Sequence, residues 1–133
     1  MRYLSAEQVL FIHSRLIDET GGSHGIRDVG LLQSSVGRSK ATYDGKDLYP
    51  DIFHKVAALM ESLIKNHPFV DGNKRTAITS AGILLQMNGF IIETSQKDIE
   101  RFTLGMAHGK IPVKDAAEWF KHNSLKINRE CHE

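Results

Sequence analysis

At 133 residues, with 41% hydrophobic and 25% charged side chains, the chain can bury a core as one domain over 1–133 without disulfides or a structural metal. Lys and Arg total 17 against 16 Asp and Glu, and the interspersed signs give no broad basic face, so direct nucleic-acid binding is not expected. A single Cys131 cannot pair within the chain, and no run is apolar enough for a signal region or a bilayer span; the expectation is a cytoplasmic protein with no membrane partner.

Ser5 with Gln8 three residues on reads as a capping box, and Val9, Ile12, Leu16 and Ile17 recur on one face, which predicts a helix from about Ala6 to Glu19. The run Gly21-Gly22-Ser23-His24-Gly25 breaks it. Asp28 then reads as the cap of a shorter helix through Leu31, Leu32 and Val36, which makes the Arg27-Asp28 pair structural in this reading. Between Lys40 and Leu48 the helical period disappears, and Asp44-Gly45 is a favoured two-residue hairpin turn, so this segment is either a small β-flap or a plain surface loop.

Pro50-Asp51 opens a third helix with Ile52, Val56, Leu59, Met60, Leu63 and Ile64 on its apolar stripe, ending before His67. A fourth starts about Asn73, turns Ala77, Ile78, Ala81, Leu84 and Leu85 inward, and ends at Gly89; apolar on more than one face, it is expected at the domain centre. Phe90-Ile91-Ile92 is short and extended. Helices around Lys97–Met106 and Val113–His122 follow, burying Ile99, Phe102, Met106, Ala116, Trp119 and Phe120, before a polar tail from about 124. The expected fold class is all-α, a compact bundle of about six helices with a small β-hairpin flap.

The loop between the third and fourth helices carries the chemistry. It reads His67-Pro68-Phe69-Val70-Asp71-Gly72-Asn73-Lys74-Arg75-Thr76. His67 is an imidazole able to take a proton near neutral pH, Asp71 is a hard carboxylate suited to Mg²⁺, and Gly72-Asn73 lets the backbone turn sharply. The helix that starts there points its free N–H groups at the turn, favouring an anion, and Lys74 and Arg75 add cations matched to phosphate oxygens. Pro68 restricts the loop and Phe69 is expected in the core. Taken singly, a histidine at a helix end is a cap and Asp-Gly-Asn is a turn, yet neither needs the Lys-Arg pair or a carboxylate four residues after the histidine. The other histidines, His13, His24, His54, His108, His122 and His132, show no metal-ligand spacing and are expected on helix surfaces or in loops.

This segment resembles the active-site motif of the Fic/Doc superfamily, His-Pro-Phe-x-Asp/Glu-Gly-Asn-Gly-Arg with a second Arg after two further residues. The resemblance extends to Gly25-Ile26-Arg27-Asp28-Val29-Gly30-Leu31-Leu32, Asp47-Leu48-Tyr49-Pro50-Asp51 and Asn88-Gly89. Lys74 replaces the second glycine of most AMP-transferring members and Ile78 replaces their second arginine, departures shared with the death-on-curing (Doc) toxins. The resemblance implies a Fic-type helical domain acting as the toxin of a toxin-antitoxin pair, a group that includes a kinase acting on elongation factor Tu. It implies ATP as substrate with Mg²⁺, with His67 as general base toward a protein hydroxyl. Asp71 would hold Mg²⁺, and Gly72, Asn73, Lys74 and Arg75 would bind the nucleotide phosphates. Nucleotidyl transfer by a Fic-type enzyme and a catalytically silent binding module are the alternatives. Many Fic proteins carry an inhibitory Ser/Thr-x-x-x-Glu-Gly/Asn segment, and no Glu of this sequence stands in that pattern, so restraint is expected from a Phd-like antitoxin partner.

Overall fold

A computed structural model of the protein describes residues 1–127; the Cys131 and His132 readings, and those of Glu130 and Glu133, lie outside the described residues. Six α-helices form among the described residues: α1 (Ala6–Thr20), α2 (Val29–Gly37), α3 (Ile52–Asn66), α4 (Asn73–Met87), α5 (Gln96–Ala107) and α6 (Val113–His122). A 3₁₀ turn at Arg38–Lys40 follows α2, and four short strands, β1 (Thr42–Tyr43), β2 (Lys46–Asp47), β3 (Phe90–Ile92) and β4 (Ser124–Lys126), make two antiparallel pairs. The expected six-helix bundle with its hairpin is present.

Local chemistry sets most of the helix starts. Ser5 and Gln8 form a reciprocal capping box on α1, the Asp28 carboxylate accepts the Leu31 N–H at 2.9 Å, and Ser95 accepts the Asp98 N–H at 3.1 Å. In the β1–β2 hairpin, Asp44 and Gly45 both take positive φ, 54° and 77°, the geometry that matches the twist of the strands they join. All four strand residues are exposed, and the hairpin is held from below by Lys55, a 3% exposed residue of α3 whose Nζ lies 3.0 Å from an Asp47 carboxylate oxygen. Burial lowers the Lys55 pKa, but hydrogen bonds to Asp47 and Tyr3 outweigh it and raise it above the ordinary value.

The centre of the domain is α3, not α4 as the apolar pattern implies. Residues 55–60 and 62–64 of α3 are buried, enclosed by α2, the 3₁₀ turn, α4, α5 and α6. On α4 the buried residues are Thr76, Ala77, Ser80, Ala81, Leu84 and Leu85, a stripe on one side; small residues there let it lie close against α3 while Ile78 stays half-buried. Ile99 and Trp119, expected inside, are likewise half-buried, with Trp119 stacked on Phe102 at 3.9 Å between ring centroids. The expected polar tail also differs. Ser124–Lys126 pairs in register with Phe90–Ile92, and the Ile127 N–H reaches the Gly89 carbonyl at 2.7 Å, because three extended residues are too few to show a period of two yet enough to complete a ladder.

Candidate active site

The loop joining α3 to α4 is short and its backbone is forced into unusual turns at both ends. His67 closes α3 in the left-handed region at φ 45°, ψ 59°, and Gly72 opens α4 at φ 76°. At Gly72 a Cβ would lie 3.2 Å from Ile17 Cδ1, so both conformation and space favour glycine there.

A second stretch of chain, between α1 and α2, clasps this loop. Arg27 donates from Nε to the His67 carbonyl at 2.6 Å and from Nη2 to the Asn66 carbonyl at 2.7 Å, filling the open end of α3 with a cation where the helix dipole favours one. The Arg27 and Asp28 N–H groups both reach the Pro68 carbonyl, Val70 N–H reaches the Gly25 carbonyl, and Ile26 bridges Phe69. The Arg27-Asp28 pair is therefore structural, as expected. Phe69 is 1% exposed and anchors the loop in the core.

The candidate site residues lie together along this frame. The His67 ring is exposed, and its Nδ1 lies 3.5 Å from Asn73 Nδ2, beside the first residue of α4. Asn73 itself is committed to the loop: its Oδ1 accepts the Phe69 N–H at 3.0 Å and its Nδ2 donates to the Phe69 carbonyl at 2.9 Å. These two bonds fix which way the amide faces and close the loop into a ring. The exposed Asp71 carboxylate accepts the Gly72 N–H at 2.9 Å and the Ser23 N–H at 3.4 Å, one on each oxygen, which leaves further lone pairs for a cation. Gly22 approaches from the same side, where a Cβ would stand 2.6 Å from Asp71 Oδ2.

Among the described residues no side chain caps α4. Its first turn carries Lys74 and Arg75, both exposed and in no ion pair among the described residues. Cations are disfavoured at a helix N-terminus, so this end of α4 has a positive potential that an anion would neutralise.

One residue in this frame escapes the sequence reading. His13, expected on a helix surface, is fully buried; it stacks on Phe69 with ring centroids 3.8 Å apart and 5° between planes, and its Nε2 lies 2.7 Å from the Asp71 carbonyl. The available signal is spacing: Val9, His13 and Ile17 recur at intervals of four on one helix face. Of the other described histidines, His24, His108 and His122 are exposed and His54 is half-buried.

The Fic/DOC family model matches residues 3–85, a span that includes the histidine closing α3 and the uncapped, cationic start of α4; the chain belongs to that family. Two relatives sharpen the placement. The chain is 47% identical over 87 residues to a protein named Toxin Doc from Mycolicibacterium smegmatis, an alignment that covers 65% of this chain and 65% of that relative, just under two thirds of its length. It is 32% identical over 118 residues to a protein named Protein kinase doc from Escherichia phage P1, covering 89% of this chain and 92% of the relative. No described helix is long and apolar enough to cross a membrane.

Proposed function

We propose that this chain is the toxin of a toxin-antitoxin pair, a cytoplasmic protein kinase that transfers the γ-phosphate of ATP to a serine or threonine hydroxyl of a protein, with elongation factor Tu as the candidate target and arrest of translation as the result. The reading is carried by the start of α4, which has no side-chain cap and two cations in its first turn, with the His67 ring 3.5 Å from the Asn73 amide. The relative named Protein kinase doc supports a kinase in particular, as do Lys74 and Ile78 in place of the glycine and arginine of AMP-transferring members.

In this mechanism the target hydroxyl oxygen attacks the γ-phosphorus, the bond to the β–γ bridging oxygen breaks, ADP departs, and the hydroxyl proton passes to the His67 ring. The α4 N–H groups with Lys74 and Arg75 bind and orient the phosphates and stabilise charge on the transferred group, an electrostatic role that dominates phosphoryl transfer. Asn73 keeps the loop closed behind them. The Asp71 carboxylate fits Mg²⁺, an ion that takes one or two carboxylates and completes its shell with water and phosphate oxygens; when bound it supplies charge neutralisation on the phosphate chain.

The test is to incubate the protein with a bacterial lysate and ATP labelled at either phosphate. Transfer of γ-label to a protein band supports the kinase. Transfer of α-label shifts the assignment to nucleotidyl transfer, and no transfer with intact partner binding leaves a silent module. The toxin assignment has its own readout: expression of the chain alone halts bacterial growth, and co-expression of a small Phd-like antitoxin that binds it restores growth. Normal growth with folded protein present would overturn that part.

A further inference from the structure

The turn that opens α4 is held from below by a residue no part of the proposed mechanism uses. His13 lies 58 positions before Asp71 in sequence, yet its Nε2 is 2.7 Å from the Asp71 carbonyl oxygen. A carbonyl can only accept, so Nε2 carries a proton in this contact, and the ring's second nitrogen is Nδ1. That Nδ1 is buried with no hydrogen-bond partner among the described residues. A buried polar atom left without a partner is costly, and here the ring is kept in place while satisfying only one of its nitrogens. Packing alone is served better by leucine or phenylalanine at this point of α1, where Val9 and Ile17 flank the ring one turn away on either side. The polar contact that the ring does make goes to the backbone of the turn, between the carboxylate-bearing residue and Gly72.

We propose that His13 is a positioning residue for the phosphate-binding turn: its Nε2–H fixes the Asp71 carbonyl, and with it the direction in which the Asp71 carboxylate and the first N–H groups of α4 face. Its use to the protein rests on the phosphoryl-transfer reading of the site, while the contact itself does not. Three neighbours define the same support. The ring is fixed in plane by stacking on Phe69, itself part of the motif loop; Ile17, one turn along α1, lies under Gly72; and the Ser23 N–H meets the Asp71 carboxylate from the loop that follows α1. Helix α1 thus carries the turn on one face, and among the described residues His13 makes its single hydrogen bond to the turn's backbone. Hydrogen-bond partners that orient a metal-binding group change metal affinity or activity by about 10- to 100-fold when removed.

The experiment compares His13→Gln, His13→Asn and His13→Phe with the wild-type protein. Glutamine can place an amide N–H near the position of Nε2, asparagine is one methylene too short, and phenylalanine keeps the stack on Phe69 without a donor. Each is measured for thermal unfolding, for MgATP affinity by calorimetry, for KM and kcat in γ-label transfer, and for the backbone amide shifts of residues 72–75. The expected result is MgATP binding weakened about 10- to 100-fold in His13→Asn and His13→Phe, with KM for ATP rising more than kcat falls, displaced amide shifts, and recovery of both affinity and shifts in His13→Gln. If His13→Phe does not fold, the asparagine and glutamine pair carries the comparison. A folded His13→Asn or His13→Phe with wild-type affinity and unmoved amides overturns the proposal, as does a His13→Gln as impaired as His13→Asn. Should the wild-type protein bind MgATP but transfer no phosphate, the kinase reading fails while His13 is still judged on affinity; should it bind no nucleotide, the amide shifts alone decide.

Discussion

Helices α3 and α4 are both 15 residues long and pack against each other, but they begin in opposite ways. At the start of α3, Asp51 accepts the His54 N–H at 2.9 Å and places a carboxylate where the helix dipole favours one. At the start of α4 there is a left-handed glycine, no side-chain cap and two cations. The first arrangement satisfies the helix from within. The second leaves its first N–H groups without a side-chain partner and costs some stability unless an anion is bound there. A helix end that breaks the rules its neighbour follows is the place proposed for the chemistry of this domain, and the lone histidine of the motif reaches that end as the residue that closes α3.

The strongest way to break this contrast is to remove the base and leave the anion site. His67→Ala is expected to lower phosphate transfer by about 10²- to 10⁴-fold while MgATP affinity stays within a few fold of wild type. Single-turnover transfer beside calorimetric titration reads both quantities. Because His67 sits at φ 45°, alanine there is also strained, so a His67→Asn variant, which tolerates the left-handed region better, serves as the control for folding. Wild-type transfer in either variant removes His67 from the mechanism.

Next in size is the charge at the start of α4. Arg75→Ala is expected to weaken MgATP binding by about 10-fold or more while raising the thermal stability of the nucleotide-free protein slightly, since a cation leaves a helix end that disfavours it. The shift in melting temperature on adding saturating MgATP should shrink correspondingly, because ligand stabilisation follows the ratio of ligand concentration to Kd. A variant that loses stability without ligand and keeps its affinity would mean that Arg75 is a packing residue and that α4 has no anion to wait for.

How far each helix start could be read from sequence follows the same division. The caps at Ser5, Asp28 and Asp51 and the Asp44-Gly45 turn depend on residues within four positions of one another, so their chemistry is visible locally. The motif residues from His67 to Arg75 could be picked out as a group for the same reason. What supports them could not: Arg27 on the end of α3, Ser23 on the Asp71 carboxylate and His13 under the turn come from 39 or more positions away. The inward ring of His13 is hidden by its type, since a histidine between Ile12 and Ser14 reads as polar surface unless the four-residue spacing from Val9 to Ile17 is followed through it. The central place of α3 is hidden in a different way. Lys55 and Ser62 interrupt its apolar pattern, and only the folded structure shows Lys55 reaching Asp47 on the hairpin and Ser62 Oγ accepting from Arg38 at 3.0 Å.

The smallest expected effect tests the other side of the contrast, that the start of α3 is purely structural. Asp51→Ala removes a cap and should cost about 1 kcal/mol of stability near neutral pH, with MgATP affinity and transfer rate unchanged. Burial pushes the Asp51 pKa up, but the hydrogen bonds and charge of His54 outweigh it, and the carboxyl is held below its ordinary value. A group whose pKa is depressed by folding contributes stability that is fully present above its unfolded pKa and is lost as the pH falls through its folded pKa. The stability gap between wild type and Asp51→Ala should therefore hold steady from neutral pH down to the ordinary carboxylate range and narrow at lower pH, in denaturant titrations across that window. A gap that instead widens on acidification would reverse the sign of the Asp51 shift, and a loss of MgATP affinity in the variant would show that the two helix starts are not separate in function.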